Sequence, residues 1–148
     1  MAIFRKGNML NHLDECDEAF ITTNSMVRKD GRLVMGRGIA QQARDSLVDI
    51  DLDFGHLIQE LCGTLGEYHI LQSTYYPKVW AFQVKYHWAD KASLPLLARS
   101  VEELKDFAEQ HDFEIFLNFP GIGNGQLNRD DVFPLIAQLP DNVTIWEL

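Results

Sequence analysis

The sequence predicts an α/β domain in which a mixed central sheet of about six strands is covered by helices on both faces. Three observations carry this. Six short runs are rich in aromatic and β-branched residues, helical patterns lie between them, and no repeat, low-complexity tract or Pro/Ser-rich linker divides residues 1–148. One domain over 1–148 is therefore expected, and a chain of this length can bury about two-thirds of the surface that its unfolded form exposes.

The strand-like runs are "AIFRK" (2–6), "AFITTN" (19–24), "YHILQS" (68–73), "VWAFQVK" (79–85), "FEIFLNF" (113–119) and "NVTIWEL" (142–148). After the second run, a helix is expected over about 38–47 and another over about 54–62. The third and fourth runs have only a Tyr-Tyr-Pro turn between them, too short for a helix, so they should form an antiparallel hairpin. Ser93 then reads as the N-cap of a helix with Pro95 in its first turn, and Leu97, Val101, Leu104 and Ala108 mark its buried face. Near the end, Asn128 is placed to cap the amide of Asp131 and start a helix that carries Val132, Leu135, Ile136 and Leu139 inward. Asp130 and Asp131 complement its dipole.

Composition narrows the function. With 46% hydrophobic residues the chain is a folded globular type, and a formal charge of −9 opposes nonspecific binding to DNA or anionic lipid. No apolar run reaches the length of a membrane span, and the start "MAIFRKGNML" lacks a secretory signal, so a cytoplasmic protein with no membrane partner is expected. Cys16 and Cys62 read as reduced structural thiols. His12, His56, His69, His87 and His111 lack zinc-ligand spacing, so no metal is expected.

Two stretches share one device. "AFITTNS" leads into "GRLVMGRGIA", and "FLNFPGIGNGQLNRDDV" again runs from an apolar strand through three glycines into a helix. Glycine lets backbone amides approach a ligand without a Cβ, and a helix start offers unpaired N–H groups to an anion. Two such loops at one sheet edge could grip a diphosphate. Neither is a P-loop or a G-x-G-x-x-G fingerprint. Glycines at turns and an asparagine opening a turn remain the structural alternative.

In the order "KGNML", "TTNS…GRLVMGRGIA", "FQVKYHW" and "PGIGNGQL", these blocks resemble a macrodomain over nearly the whole chain. "FQVKYHW" and "GIGNGQLNRDDVFPLI" are most similar to the branch of terminal ADP-ribose glycohydrolases and DNA ADP-ribosyl glycohydrolase antitoxins. The resemblance implies a three-layer macrodomain-like sandwich with an ADP-ribose cleft at the strand ends. Asn8, with Met9 beside it, matches the residue facing the adenine amino group, and Asn24 matches the asparagine on the distal ribose. Gly36, Arg37, Gly38, Ile39 and Ala40 match the first phosphate loop, and Gly121, Ile122, Gly123, Asn124 and Gly125 the second. Lys85 matches the catalytic lysine. The implied partner is ADP-ribose or an ADP-ribosylated macromolecule, ADP-ribosylated DNA included, on a monomeric protein without a cofactor. An ADP-ribosyl glycohydrolase, a non-catalytic ADP-ribose reader and an ADP-ribose 1″-phosphate phosphatase all stay open.

The sequence departs from that pattern in places. Asn8 replaces the usual aspartate, which exchanges a charge-assisted hydrogen bond for a neutral one, about 1 kcal/mol weaker. Gln126 and Leu127 stand where relatives acting on protein-linked ADP-ribose often carry an aspartate, and Arg129 where a tryptophan is common. The link "MVRKDGRLV" (26–34) is long, with an exposed "RKDG" turn that could cover the cleft or touch a substrate. Chemistry at Lys85 requires a neutral fraction of its amine, which burial or a neighbouring cation promotes. On spacing alone it also reads as a snorkelling lysine at a strand end. His87 would share its face only if the strand continued past it.

Overall fold

The computed structural model describes residues 1–148. In chain order it comprises β1 (Ile3–Lys6), a 3-10 helix (Met9–Glu15), β2 (Glu18–Thr23), α1 (Gly38–Ser46), α2 (Ile50–Leu61), β3 (Ile70–Gln72), β4 (Val79–Gln83), α3 (Leu94–Glu109), β5 (Ile115–Asn118), α4 (Arg129–Ile136) and β6 (Val143–Glu147). All six strands join one sheet in the order β1-β6-β5-β2-β4-β3. β3 pairs antiparallel with β4, as the short Tyr-Tyr-Pro connection requires, and every other pair is parallel.

Strand alternation divides the core in two. Phe20, Phe82, Ile115, Leu117 and Ile145 point to the face covered by Leu97, Val101 and Leu104 of α3 and by Val132 and Ile136 of α4. Ala19, Ile21, Ala81, Phe116 and Trp146 point to the other, against Met9, Ala43 of α1 and Ile50, Phe54 and Ile58 of α2. Apolar side chains on both faces are what a parallel sheet demands, since crossover helices cover each side.

Several boundaries differ from the sequence expectation for identifiable reasons. α2 starts four residues before Phe54, at Ile50, directly after Asp49 turns the chain with φ 62°. Its Asp53, 4% exposed, accepts hydrogen bonds from Ser73 Oγ and the amides of Thr74 and Tyr75, and so secures the turn between β3 and β4. The run 68–73 contracts to Ile70–Gln72 because His69 has φ 61°, while the amides of Tyr68 and His69 both donate to the Gln83 side chain. Asn128 caps α4 through the amide of Asp130 at 2.8 Å, one residue earlier than Asp131. The 3-10 helix has no counterpart in the sequence reading, although Asn8 caps it by accepting from the Leu10 amide.

Residues 27–33 of the long link take no part in the cleft wall. Val27 and Leu33 bridge antiparallel, and Arg32 donates to Asp49 and Asp51 at the start of α2. An ideal Cβ on Gly55 of α2 would lie 1.9 Å from the Gly31 oxygen, so turn and helix pack backbone to backbone. The "RKDG" turn therefore braces α2 and does not cover the cleft.

Candidate functional site

The connections set the position of the cleft. β2 and β5 are neighbours, yet β2 leads to α1 on one face and β5 to α4 on the other, and loops that diverge from adjacent parallel strands leave a crevice at their C-terminal ends. Ladder pairing between the two strands joins Glu18–Phe20 to Ile115–Leu117. Just beyond it, Asn118 Oδ1 accepts from the Thr22 amide and Nδ2 donates to Thr22 Oγ1, both at 3.0 Å. The crevice is a cleft of about 560 Å³ that runs from Gly7, Asn8 and Glu147 past Thr22 and Asn118 to Val84, Lys85 and Trp88. It thus crosses the ends of β1, β6, β5, β2 and β4. Four interstrand spacings make that roughly 19 Å.

Both glycine loops line this cleft, and their glycines divide into two kinds. Gly38, with φ 57°, and Gly121, with φ 80°, need a conformation that L side chains resist. An ideal Cβ on Gly121 would also lie 2.8 Å from Leu97 Cδ1 and 2.9 Å from Leu127 Cδ1, and one on Gly125 would lie 2.5 Å from the Gly121 oxygen. Gly36 and Gly123 have no positive φ and nothing within 4 Å of an added Cβ. The fold does not require glycine at these two positions; there its effect is to leave the cleft wall bare. The loops meet where an ideal Cβ on Gly38 would lie 3.4 Å from Asn124 Nδ2. Arg37 precedes α1 in an extended conformation with no side-chain cap, so the first amides of the helix have no side-chain cap from residue 37.

The polar side chains are partly committed to holding the walls. Asn24, 7% exposed, donates from Nδ2 to the Val34 oxygen at 3.0 Å and accepts at Oδ1 from the Met26 amide at 2.8 Å. One amide hydrogen and one oxygen lone pair remain free. Asn8 also donates to Gln42 Oε1 at 2.8 Å, which ties the start of the 3-10 helix to α1. Lys85 Nζ donates to the Trp88 and Asp90 oxygens at 2.9 and 3.2 Å. Burial, then the charge of Arg37, push this ammonium below the ordinary lysine value, while Asp90 pulls the other way. The Arg37 guanidinium lies 5.8 Å from the ring centre of Trp88, whose exposed indole forms the rim of this end.

β4 stops at Gln83, so alternation does not carry to His87. His87 stacks on Trp88 outside the cleft, and its Nδ1 accepts from the Ala89 amide at 3.1 Å. Cys16 lies buried in the core, its thiol pushed up to about 11 chiefly by burial, as suits an inert structural cysteine.

No protein family model matches the chain, and no curated protein matches its sequence. Solved structures do. The macrodomain of Thermus aquaticus DarG superposes with a TM-score of 0.75 at 21% identity, over 99% of this chain and 97% of that one. The macrodomain of Mycobacterium tuberculosis DarG gives 0.72 at 22% identity, with 99% and 97% covered. The chain has the macrodomain fold. Thermosipho africanus DarTG, solved in complex with ADP-ribose, gives 0.74 at 16% identity, and there this chain covers 42% of a longer protein.

The residues matched in the sequence to ligand or catalytic roles all lie on the wall of this cleft: Asn8, Met9, Asn24, Gly36–Ala40, Lys85 and Gly121–Gly125. Of the other lining residues, four bear on how much of the site was legible. Asn118 ends an apolar strand just before the second loop, as Asn24 does before the first, and that parallel was a usable signal. Trp88 closes the block that contains Lys85. Gln42 and Glu147 carry no local signal; α1 and the pairing of Glu147 with Lys6 bring them to the cleft.

Proposed function

We propose that this protein binds ADP-ribose along the cleft and removes it from a macromolecule as an ADP-ribosyl glycohydrolase. The observation that carries the reading is the opposition of two glycine loops midway along a 560 Å³ groove, with Gly36 and Gly123 bare where the fold does not require it. A diphosphate between these loops would accept from backbone amides, with adenosine toward Asn8 and Met9 and the distal ribose toward Asn24 and Lys85. The ADP-ribose carried by Thermosipho DarTG supports this choice among diphosphate ligands.

In this reading Lys85 works at the anomeric carbon. Its neutral amine forms a bond to that carbon with its lone pair while the bond to the acceptor breaks and the acceptor leaves with the electron pair and takes up a proton; water then bonds to the same carbon, the carbon–nitrogen bond breaks with its electron pair returning to the Lys85 amine, and ADP-ribose is released after loss of a proton from that water. Burial and Arg37 raise the neutral fraction that the step needs. The acceptor is a nucleic-acid base or a protein side chain, on a monomeric enzyme. Gln126 and Leu127 after the second loop make the base the better match, because they supply no carboxylate there.

A second reading has its own observation. Lys85 Nζ already donates to two carbonyls of its own turn, which is what a structural ammonium does, and a module that binds ADP-ribose without turnover could use it that way. Incubation with ADP-ribosylated DNA, ADP-ribosylated protein and ADP-ribose 1″-phosphate in parallel, followed by product analysis, separates the readings. Release of ADP-ribose from either conjugate supports the glycohydrolase. Binding with no product in any arm supports the reader, and product from the third arm alone a phosphatase.

A further inference from the structure

The Lys85 end of the cleft keeps its positive charge unpaired. Of the 13 lysines and arginines, all but Lys29, Arg37, Lys78, Lys85 and Lys91 form an ion pair with a carboxylate. Three of these five gather here, on a chain whose formal charge is −9. Arg37 and Lys85 line the cleft, and exposed Lys91 lies on the connection after β4, next to Ala92, whose amide donates to the Gly125 oxygen of the second glycine loop at 2.8 Å. Lys85 Nζ is engaged by the carbonyls of its own turn, so Arg37 and Lys91 are the cations left for a group outside the cleft. Asp90 is the one carboxylate on residues 84–93. Trp88 shares this connection with its indole 43% exposed, whereas Trp80 and Trp146 pack against the core. The bond from Lys85 Nζ needs only the Trp88 carbonyl, which any residue would supply, so the exposed ring is not required for it. That ring has the Arg37 guanidinium 5.8 Å from its centre and the His87 ring stacked at 5.7 Å.

We infer that Trp88, with Arg37 and Lys91 beside it, is a seat for the acceptor: the nucleic-acid base that carries ADP-ribose lies flat on the indole, and the two cations take phosphates of its strand. The inference rests on the ADP-ribose reading, which puts the distal ribose at Lys85 and so brings whatever is attached to its anomeric carbon out over the rim. An indole face and unpaired cations suit a flat base on a charged backbone, because stacking holds the base and each cation neutralises a phosphate. A base inside a duplex has both faces covered by its neighbours, so the seat takes a base from a single strand. Asp90 sets a carboxylate against a second phosphate path along the same connection, which leaves the Arg37 and Lys91 sides for the strand.

The test gives folded wild type and variants an ADP-ribosylated single-stranded oligonucleotide, an ADP-ribosylated peptide and free ADP-ribose. It reads kcat/KM for release from each conjugate, or the affinity for the intact conjugate if nothing is released, and the affinity for ADP-ribose by calorimetry. Trp88→Ala should weaken the oligonucleotide arm by about fivefold or more and leave the other two within about twofold, and Trp88→Phe should keep part of the difference. Lys91→Ala should make the salt dependence of the oligonucleotide arm shallower by about 0.7 in its logarithmic slope and leave the peptide arm unmoved. A Trp88→Ala protein equal to wild type on the oligonucleotide overturns the assignment, as do equal losses on oligonucleotide and peptide. An equal loss for free ADP-ribose overturns it too, because Trp88 would then cover the distal ribose. Intact conjugate bound in the expected order without release defeats the glycohydrolase and supports the seat, and failure of wild type to bind ADP-ribose defeats both.

Discussion

Gly121 and Gly123 stand two residues apart in one loop, and the structure gives them opposite duties. Gly121→Ala forces a side chain into φ 80° and sets its Cβ 2.8 Å and 2.9 Å from methyl groups of Leu97 and Leu127. The left-handed conformation costs about 1–2 kcal/mol, and overpacking against Leu97, which is 0% exposed and has little room to yield, costs about 1–3 kcal/mol more. A loss of about 2–5 kcal/mol lowers Tm by roughly 6–16 °C in a domain of this size. Gly123→Glu meets neither obstacle, so its stability should stay within about 0.5 kcal/mol of wild type. Its carboxylate would enter the space assigned to a diphosphate, where like charges at about 4 Å repel by roughly 4 kcal/mol at an effective dielectric constant of 20. Calorimetric unfolding measures the first variant and ADP-ribose titration the second. A Gly121→Ala protein that melts with wild type refutes the packing argument. A folded Gly123→Glu protein with wild-type affinity removes the diphosphate from the cleft.

Lys85→Ala removes the reacting amine and touches neither glycine loop, so ADP-ribose should bind within about tenfold of wild type while turnover falls by orders of magnitude; normal turnover would demand another catalytic group. Because Arg37 helps to lower the Lys85 ammonium, the rate should rise with pH as the neutral amine accumulates. Arg37→Ala should move that rise to higher pH, and an unmoved profile would disconnect the two side chains. Asn24→Ala should weaken ADP-ribose by about 1–3 kcal/mol and leave AMP nearly unaffected, and it should also lower Tm because the Val34 and Met26 bonds are lost. Equal losses for both ligands would move Asn24 away from the distal ribose. Asp53→Ala leaves three donors of the 73–75 turn without their buried acceptor and should cost about 2–4 kcal/mol of stability with little effect on ADP-ribose affinity, as differential scanning calorimetry and titration would show.

The strand and helix pattern was legible because each run reports burial on one or two faces, and burial is what the sheet and its crossovers impose. Boundaries were less so. β3 shortens because the side chain of Gln83, fifteen residues from Tyr68, takes the amides of Tyr68 and His69, and no local pattern encodes a contact of that kind. The start of α2 was missed because Asp51 and Asp53 interrupt an apolar helical pattern, and their reasons lie elsewhere: Arg32 in the preceding link for one, the turn after β3 for the other.

The glycines show the same division within the site. From the sequence, all those of the two loops look alike, and each could serve a turn as well as a ligand. Coordinates separate them, because a glycine that the chain itself needs has a positive φ or an atom pressed against its missing Cβ, as at Gly121 and Gly125. Gly36 and Gly123 satisfy neither condition, so their informative property is the space in front of them. Glu147 is the converse case. Nothing near it in the sequence marks a site, yet the register of β6 beside β1 brings residue 147 to the wall of the cleft, and Arg129 reaches from α4 to hold its carboxylate. A residue of that kind becomes visible only when the sheet order is known, because its place is set by three elements that are distant in the chain.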